Sequence, residues 1–296
     1  MKELSGKRIL VTGVGIRPAD FVFKDITTGE PSHTPVMVDG IEHKANIGAA
    51  TAMECAKAGA VVHLVARNQN KLKAIKRWIE NEAEEAIVEY SALDLNDKNA
   101  LHKMLDVIPS DLPLYWVQSV GLGAGTVQVK NENPYLLIDD LSADLIEAEF
   151  SVLENTVTLL QLLLPRFRNQ EETRVCVISS MSAVRSVASG SMHMAAKGAI
   201  SRFTNAAMIE LDPQRIYITD VRPGATDTGL YDDHAVRNTI EKMAASYGTD
   251  WSACAGGPRL APPSAVGQTI SAILASKAHI TSINIVARGQ WPHEGS

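Results

Sequence analysis

Little in this chain of 296 residues points to a membrane, a nucleic acid or a metal ion. No apolar run approaches the roughly 20 residues needed to cross a bilayer. The N-terminus passes almost at once into strand-like Arg8-Ile9-Leu10-Val11, leaving no room for a signal peptide. The formal charge is −6 and no basic cluster interrupts it, which argues against nucleic-acid binding. Only three cysteines occur, Cys55, Cys176 and Cys254, widely spaced and without a C-x-x-C pair, a usage that suits a reduced compartment. The histidines show no metal-ligand spacing: His33, His43 and His102 read as surface or turn residues, and His63 as a core histidine satisfied within a strand. There is no internal repeat and no low-complexity tract. These absences leave a soluble cytoplasmic protein as the expectation, with a small molecule as its substrate.

What is present is a rhythm. Residues of the AVILMFWYC set make up 45% of the chain, enough to bury a large core in one α/β domain spanning residues 1–296. Strands are predicted at Arg8–Val11, Val61–Ala66, Ile87–Ser91, Leu114–Gln118, Arg174–Ser179, Ile216–Val221 and Ser282–Val286. Helical periodicity fills the gaps at Ile47–Ala58, Gln69–Glu82, Asp97–Val107, Ser142–Leu164, Met192–Leu211 and Ser264–Ala275. Alternation at this spacing predicts βαβ crossovers and a Rossmann-like, doubly wound parallel sheet.

One stretch breaks the rhythm. After Thr12-Gly13-Val14-Gly15 the chain should enter a helix, yet Asn46-Ile47-Gly48-Ala49-Ala50 comes only much later. The insertion, residues 16–45, holds Phe21-Val22-Phe23-Lys24-Asp25, a turn-rich Thr27–Pro31 and then Pro35–Gly40, an order expected to form a hairpin arm. It grows from a turn whose chemistry is recognisable. A glycine turn after a first strand lets backbone approach a pyrophosphate, and the following helix offers unpaired N–H groups to the anion. Thr12, Gly13, Gly15, Ile47 and Gly48 are the candidates here. The second strand ends Val65-Ala66-Arg67-Asn68, with no acid at position 66 to hold the ribose hydroxyls of NAD. Arg67 and Asn68 instead leave room and positive charge for the 2′-phosphate of NADP(H), the expected cofactor.

Taken in order, these motifs resemble the short-chain dehydrogenase/reductase family from about Lys7 to Gly289. Asp94-Leu95 resembles the pair that contacts the adenine ring, Ser180 the catalytic serine and Lys197 the catalytic lysine. The segment Arg222-Pro223-Gly224-Ala225-Thr226-Asp227-Thr228 resembles the one lining the nicotinamide pocket. The resemblance implies cofactor contacts from Thr12, Gly13, Gly15, Ile47, Gly48, Arg67, Asn68, Asp94, Leu95, Gly121, Lys197, Pro223, Gly224, Thr226 and Thr228. It also implies a homodimer or homotetramer paired through the helices around Leu159–Leu164 and Met192.

Three positions depart from the family pattern. The Asn-Asn-Ala-Gly expected after the fourth strand reads Gln118-Ser119-Val120-Gly121. The helix position of a catalytic asparagine aligns with Val152, with Asn155 most of a turn further on. The run His193-Met194-Ala195-Ala196-Lys197 carries histidine in place of the tyrosine of the Tyr-x-x-x-Lys pair. Residues 193 and 197 share a helix face. Imidazole is shorter than phenol and ordinarily titrates near about 6.5 rather than about 10. Catalysis is therefore assigned to Ser180, His193 and Lys197, and three readings stay open: a carbonyl reductase using His193 as proton donor, a non-redox acid–base enzyme, or a non-catalytic NADP-binding protein. Substrate selection is expected between Gly229 and Pro263, where Tyr231, His234, Met243, Tyr247 and Trp251 suit a medium-sized, partly apolar molecule. That stretch and the arm are expected to form a lid.

Overall fold

The structure, a computed structural model, describes residues 2–25, 28–121, 136–186, 190–234, 236–238 and 260–287. Its centre is a seven-stranded parallel sheet. The strands are β1 (Arg8–Thr12), β5 (Val61–Ala66), β6 (Ile87–Ala92), β7 (Leu114–Gln118), β8 (Thr173–Ile178), β9 (Ile216–Pro223) and β10 (Ser282–Ile285), in the order β10-β9-β8-β7-β1-β5-β6. The order reverses between β1 and β7, so the crossovers run outward in both directions and leave a crevice at the carboxyl ends of those two strands.

Alternating side chains divide the core. Ile9 and Val11 of β1 join one apolar cluster and Leu10 the other, as do Val62 and Leu64 of β5 against Val65, and Tyr115 and Val117 of β7 against Leu114 and Trp116. The first cluster is closed by α1 (Ile47–Lys57), α2 (Gln69–Glu82) and α6 (Pro263–Ala275). The second is closed by α3 (Lys98–Val107), α4 (Ala143–Arg168) and α5 (Ser191–Leu211). Helix starts follow their caps: Asn46, Asn68, Asp97 and Ser142 each accept from a backbone N–H three residues on, an arrangement that stabilises a helix by about 1 kcal/mol.

Two elements differ from expectation. Helix α4 was predicted to stop at Leu164, before Pro165, but runs on to Arg168. A proline costs one backbone bond inside a helix; here the last turn seats Phe167 in the core, and the Arg166 guanidinium donates to the carbonyls of Ile108 and Pro109. The arm is the second. Its hairpin does not pair Phe21–Asp25 with Pro35–Gly40. Instead β3 (Pro35–Val38) pairs with β4 (Ile41–Ala45), and β2 (Ile16–Pro18) adds to β4 from the other side. Asp39 and Gly40 at the turn both take positive φ, 50° and 81°, which matches the right-handed twist of a tight hairpin. Phe21–Asp25 instead folds back on the turn that follows it, through the Lys24–Pro31 bridge.

Although 31 positions separate Gly15 from Asn46, the two ends of the insertion are stitched together. The Gly15 N–H donates to Asn46 Oδ1 at 3.0 Å, Asn46 N–H to the Gly15 carbonyl at 2.9 Å, and Asn46 Nδ2 to the Gly13 carbonyl at 2.8 Å. The turn thus closes onto α1 as if the arm were absent. The arm itself is held down by a buried charge cluster. Lys44 Nζ, fully buried, lies 2.6 Å from Asp227 Oδ1 and 2.8 Å from Asp232 Oδ1. Ser32 donates to the second oxygen of Asp227. Phe23 packs with Tyr231, Val236 and Leu260 in a small apolar cluster, and the Arg237 guanidinium stacks over Phe21.

Candidate active site

The crevice between β1 and β7 opens into a cavity of about 430 Å³, within the ~300–1,000 Å³ of small-molecule sites. One wall is the glycine turn. Gly13 has φ 82°, and a Cβ there would lie 2.6 Å from the Ser119–Val120 peptide. At Gly48 a Cβ would meet the Gly13 carbonyl at 3.1 Å, so glycine here lets the first turn of α1 approach the strand end. Gly13, Gly15 and Ile47 line the cavity, whereas Gly48 and Thr12 stand behind it. Thr12 is fully buried, its Oγ1 accepting from Trp116 Nε1 and donating to the Val117 carbonyl.

Arg67, Asn68, Asp94 and Leu95 line one end, with Lys71 beside them; the Asn68 side chain is also the α2 cap. Gly121 follows Ser119 and Val120 along the β7 edge, and residues 122–135 lie outside the described residues. Pro223, Gly224, Thr226 and Thr228 form the opposite edge. The Gly224 N–H donates to the Ile285 carbonyl, and Asp227 N–H to that of Ala261, so backbone bonds fix this segment. The buried Lys44–Asp227 pair fixes it to the arm, which in turn brings Arg17 of β2 to the cavity beside Gly229. Neither Arg17 nor Lys71 was anticipated from the sequence.

Ser180, His193 and Lys197 line the same cavity. Ser180 sits where β8 ends in a single 3₁₀ turn, its Oγ accepting from the Ser182 N–H at 3.0 Å. Its neighbour Ser179 is committed elsewhere: the hydroxyl donates to Asp220, which also takes Ser201 at 2.6 Å and the Arg222 Nε at 2.7 Å. Lys197 is buried one helical turn from His193. Burial pushes its ammonium below the ordinary lysine range, and the carboxylates of Glu149 and Asp220 pull it back in part.

His193 has a neighbour that the motifs did not reveal. Its Nδ1 lies 2.9 Å from Glu149 Oε1, and Glu149, on α4, is 2% exposed. Val152 and Asn155, the positions compared with the asparagine of the resemblance, do not line the cavity; both are buried, and Asn155 Nδ2 has no hydrogen-bond partner among the described residues. A signal for Glu149 existed. It shares a helical face with Leu145, Ala148, Val152 and Thr156, all buried, and a carboxylate on an apolar face must find a partner.

Other expectations fall out as follows. His63 is a satisfied core histidine, bonded to Ser91 and Glu89, with burial holding it below the ordinary imidazole range. His33, expected at the surface or in a turn, lies in a bend of the arm and is buried against Glu42. Among the described residues, no cluster of His, Cys, Asp and Glu could hold a metal ion, and no helix is long and apolar enough to cross a membrane. Tyr231 lines the cavity and His234 does not; Met243, Tyr247 and Trp251, and with them most of the expected lid, lie outside the described residues.

The comparisons with known proteins agree with this fold. The sequence model of the short chain dehydrogenase matches residues 43–238. This chain belongs to that family. An NADP-dependent 3-hydroxy acid dehydrogenase of Schizosaccharomyces pombe is 25% identical over 77% of this chain and 74% of its own. The NADPH- and L-sorbose-bound L-sorbose reductase of Gluconobacter frateurii superposes with a TM-score of 0.67 at 17% identity over 97% of both chains. An NADPH-bound short chain oxidoreductase of Pseudomonas aeruginosa PAO1, described as containing an atypical catalytic center, gives 0.70 at 16% over 98% of both. The family match begins within the arm, at residue 43, between the two parts of the split glycine turn: Thr12–Gly15 precede it and Gly48 lies within it.

Proposed function

We propose that this short chain dehydrogenase is an NADP(H)-dependent oxidoreductase that interconverts a carbonyl and an alcohol on a medium-sized, partly apolar metabolite. Ser180, His193 and Lys197 are the reacting set in this reading. The observation that carries it is the meeting, in one cavity, of a glycine turn at a helix N-terminus, a cationic end and this trio. The cavity fits the dinucleotide on its own chemistry. Gly13 and Gly48 keep the phosphate turn clear of side chains, and Arg17, Arg67 and Lys71 supply the cations that phosphates require. Arg67 and Asn68 would hold the 2′-phosphate, Asp94 and Leu95 the adenine, and Pro223, Gly224, Thr226 and Thr228 the nicotinamide half. The NADP dependence of the Schizosaccharomyces pombe relative and the NADPH bound in the structural neighbours support the same choice.

A bound reduced nicotinamide supplies hydride. The protein supplies the rest: the Ser180 hydroxyl donates a hydrogen bond to the substrate carbonyl oxygen, and His193 transfers the proton that this oxygen takes up. Lys197, one turn further along the same face of α5, adds positive charge beside the cofactor. The test is titration of the purified protein with NADPH and NADH, followed by loss of the reduced cofactor's absorbance with a panel of ketones and 3-oxo acids. NADPH should bind about 10–100-fold more tightly than NADH, the range of one to two charge-assisted contacts, and Arg67→Ala should erase that preference. Absence of binding to either nucleotide would end the oxidoreductase reading.

A further inference from the structure

We infer that Glu149 and His193 form an acid–base dyad in which Glu149 is the positioning residue that sets the tautomer and charge of the imidazole. This rests on the reading of His193 as the proton-transfer group. The contact joins two helices: α4 presents Glu149 and α5 presents His193, with Oε1 and Nδ1 2.9 Å apart. Glu149 is 2% exposed, among Leu145, Ala148 and Val152. A carboxylate in such surroundings is costly unless paired; the His193 ring bonds it directly, and it favours the charged form of the Lys197 ammonium.

The chemistry follows from what each atom can do. An ionised carboxylate only accepts, so Nδ1 must carry a hydrogen and donate it to Glu149. Proton exchange with the substrate is thereby assigned to Nε2. In the reducing direction a bound reduced nicotinamide would supply the hydride for the new C–H bond at the carbonyl carbon, leaving the C=O π pair on oxygen. That oxygen takes the proton from Nε2 of the imidazolium. The imidazole ends neutral and the carboxylate stays ionised, with Nδ1–H still bonded to it. The bound cofactor would carry the matching oxidation, and solvent returns the proton to Nε2. An imidazolium placed beside the buried Lys197 ammonium without an anion would be a pair of like charges with little solvent between them. Glu149 provides that anion, so the histidine centre needs an element the tyrosine centre of the resemblance does not.

The test uses Glu149→Gln, which keeps an acceptor near Nδ1 but removes the charge, and Glu149→Asp, which keeps the charge on a shorter stem. Circular dichroism melts check folding. The expected result for Glu149→Gln is a fall in kcat of at least about 100-fold, the lower end of general acid–base contributions. KM and the NADPH Kd should stay within about threefold. Glu149→Asp should recover about tenfold or more of the loss in kcat, and Glu149→Gln should cost nothing further in a His193→Ala background. Independently of turnover, nitrogen NMR of the His193 ring in the intact protein should show the hydrogen on Nδ1 in its neutral form. A kcat for Glu149→Gln within about threefold of the parent protein, or a ring protonated only on Nε2, overturns the dyad. If the parent protein bound NADPH but turned over no carbonyl, the oxidoreductase reading would fall while the ring tautomer still decided the dyad.

Discussion

Replacing Lys44 by methionine should be among the most damaging single changes outside Ser180, His193 and Lys197, the set proposed to react. Its Nζ is fully buried and sits within 2.8 Å of two carboxylates that are themselves 0% and 5% exposed. Methionine fills nearly the same volume, so the loss is electrostatic: Asp227 and Asp232 are left facing one another in a dry pocket. Removing one partner of a buried ion pair costs about 3–5 kcal/mol, a large part of the ~5–15 kcal/mol that typically holds a domain together. The cycle to measure compares the parent protein, Lys44→Met, and Lys44→Met combined with Asp227→Asn and Asp232→Asn. Urea unfolding is followed by far-ultraviolet circular dichroism. The triple variant should regain most of the stability, because amides neither repel nor carry an ionic desolvation cost. NADPH affinity should fall in the single variant, since Thr226 and Thr228 flank Asp227 on the cavity edge. A single variant within about 0.5 kcal/mol of the parent, the range of ordinary surface changes, would show that the cluster does not hold the arm.

Lys197 yields a prediction with a definite sign. Burial depresses its folded-state pKa below the ordinary lysine value, so the unfolded chain binds that proton more readily, and stability rises with pH between the folded and unfolded values. Lys197→Met should therefore abolish that rise, so that its melting temperature falls relative to the parent as pH climbs into the ordinary lysine range; a difference between the two that does not change with pH would refute it. The thiols make a simpler test. Cys55 is pushed up to about 12 by burial and Cys176 is raised further, so at mildly alkaline pH the folded protein should react with a thiol reagent at no more than one of its three cysteines, and at all three in denaturant. Two or more labelled sites in the folded protein would contradict the burial that raises them.

The parallel sheet and its helices were legible because each strand and helix announces itself locally. The period-two division of Ile9, Leu10 and Val11 between two faces, and the Asn and Asp caps, are properties of short stretches. Local patterns also misled. Pro165 argued for a helix end, and only the burial of Phe167 beneath the sheet overrides it. The arm was read from its aromatic stretch, although Asp39-Gly40 between Val36 and Ile41 is the stronger hairpin signal.

The fold, the glycine turn and the presence of Ser180, His193 and Lys197 follow from the order of residues, since backbone periodicity and turn chemistry act over a few positions. The companions of those residues do not. Glu149 meets His193 across 44 positions and Lys44 meets Asp227 across 183. No local preference encodes such pairs; they form because close packing brings distant charged groups into an interior where each must find its opposite.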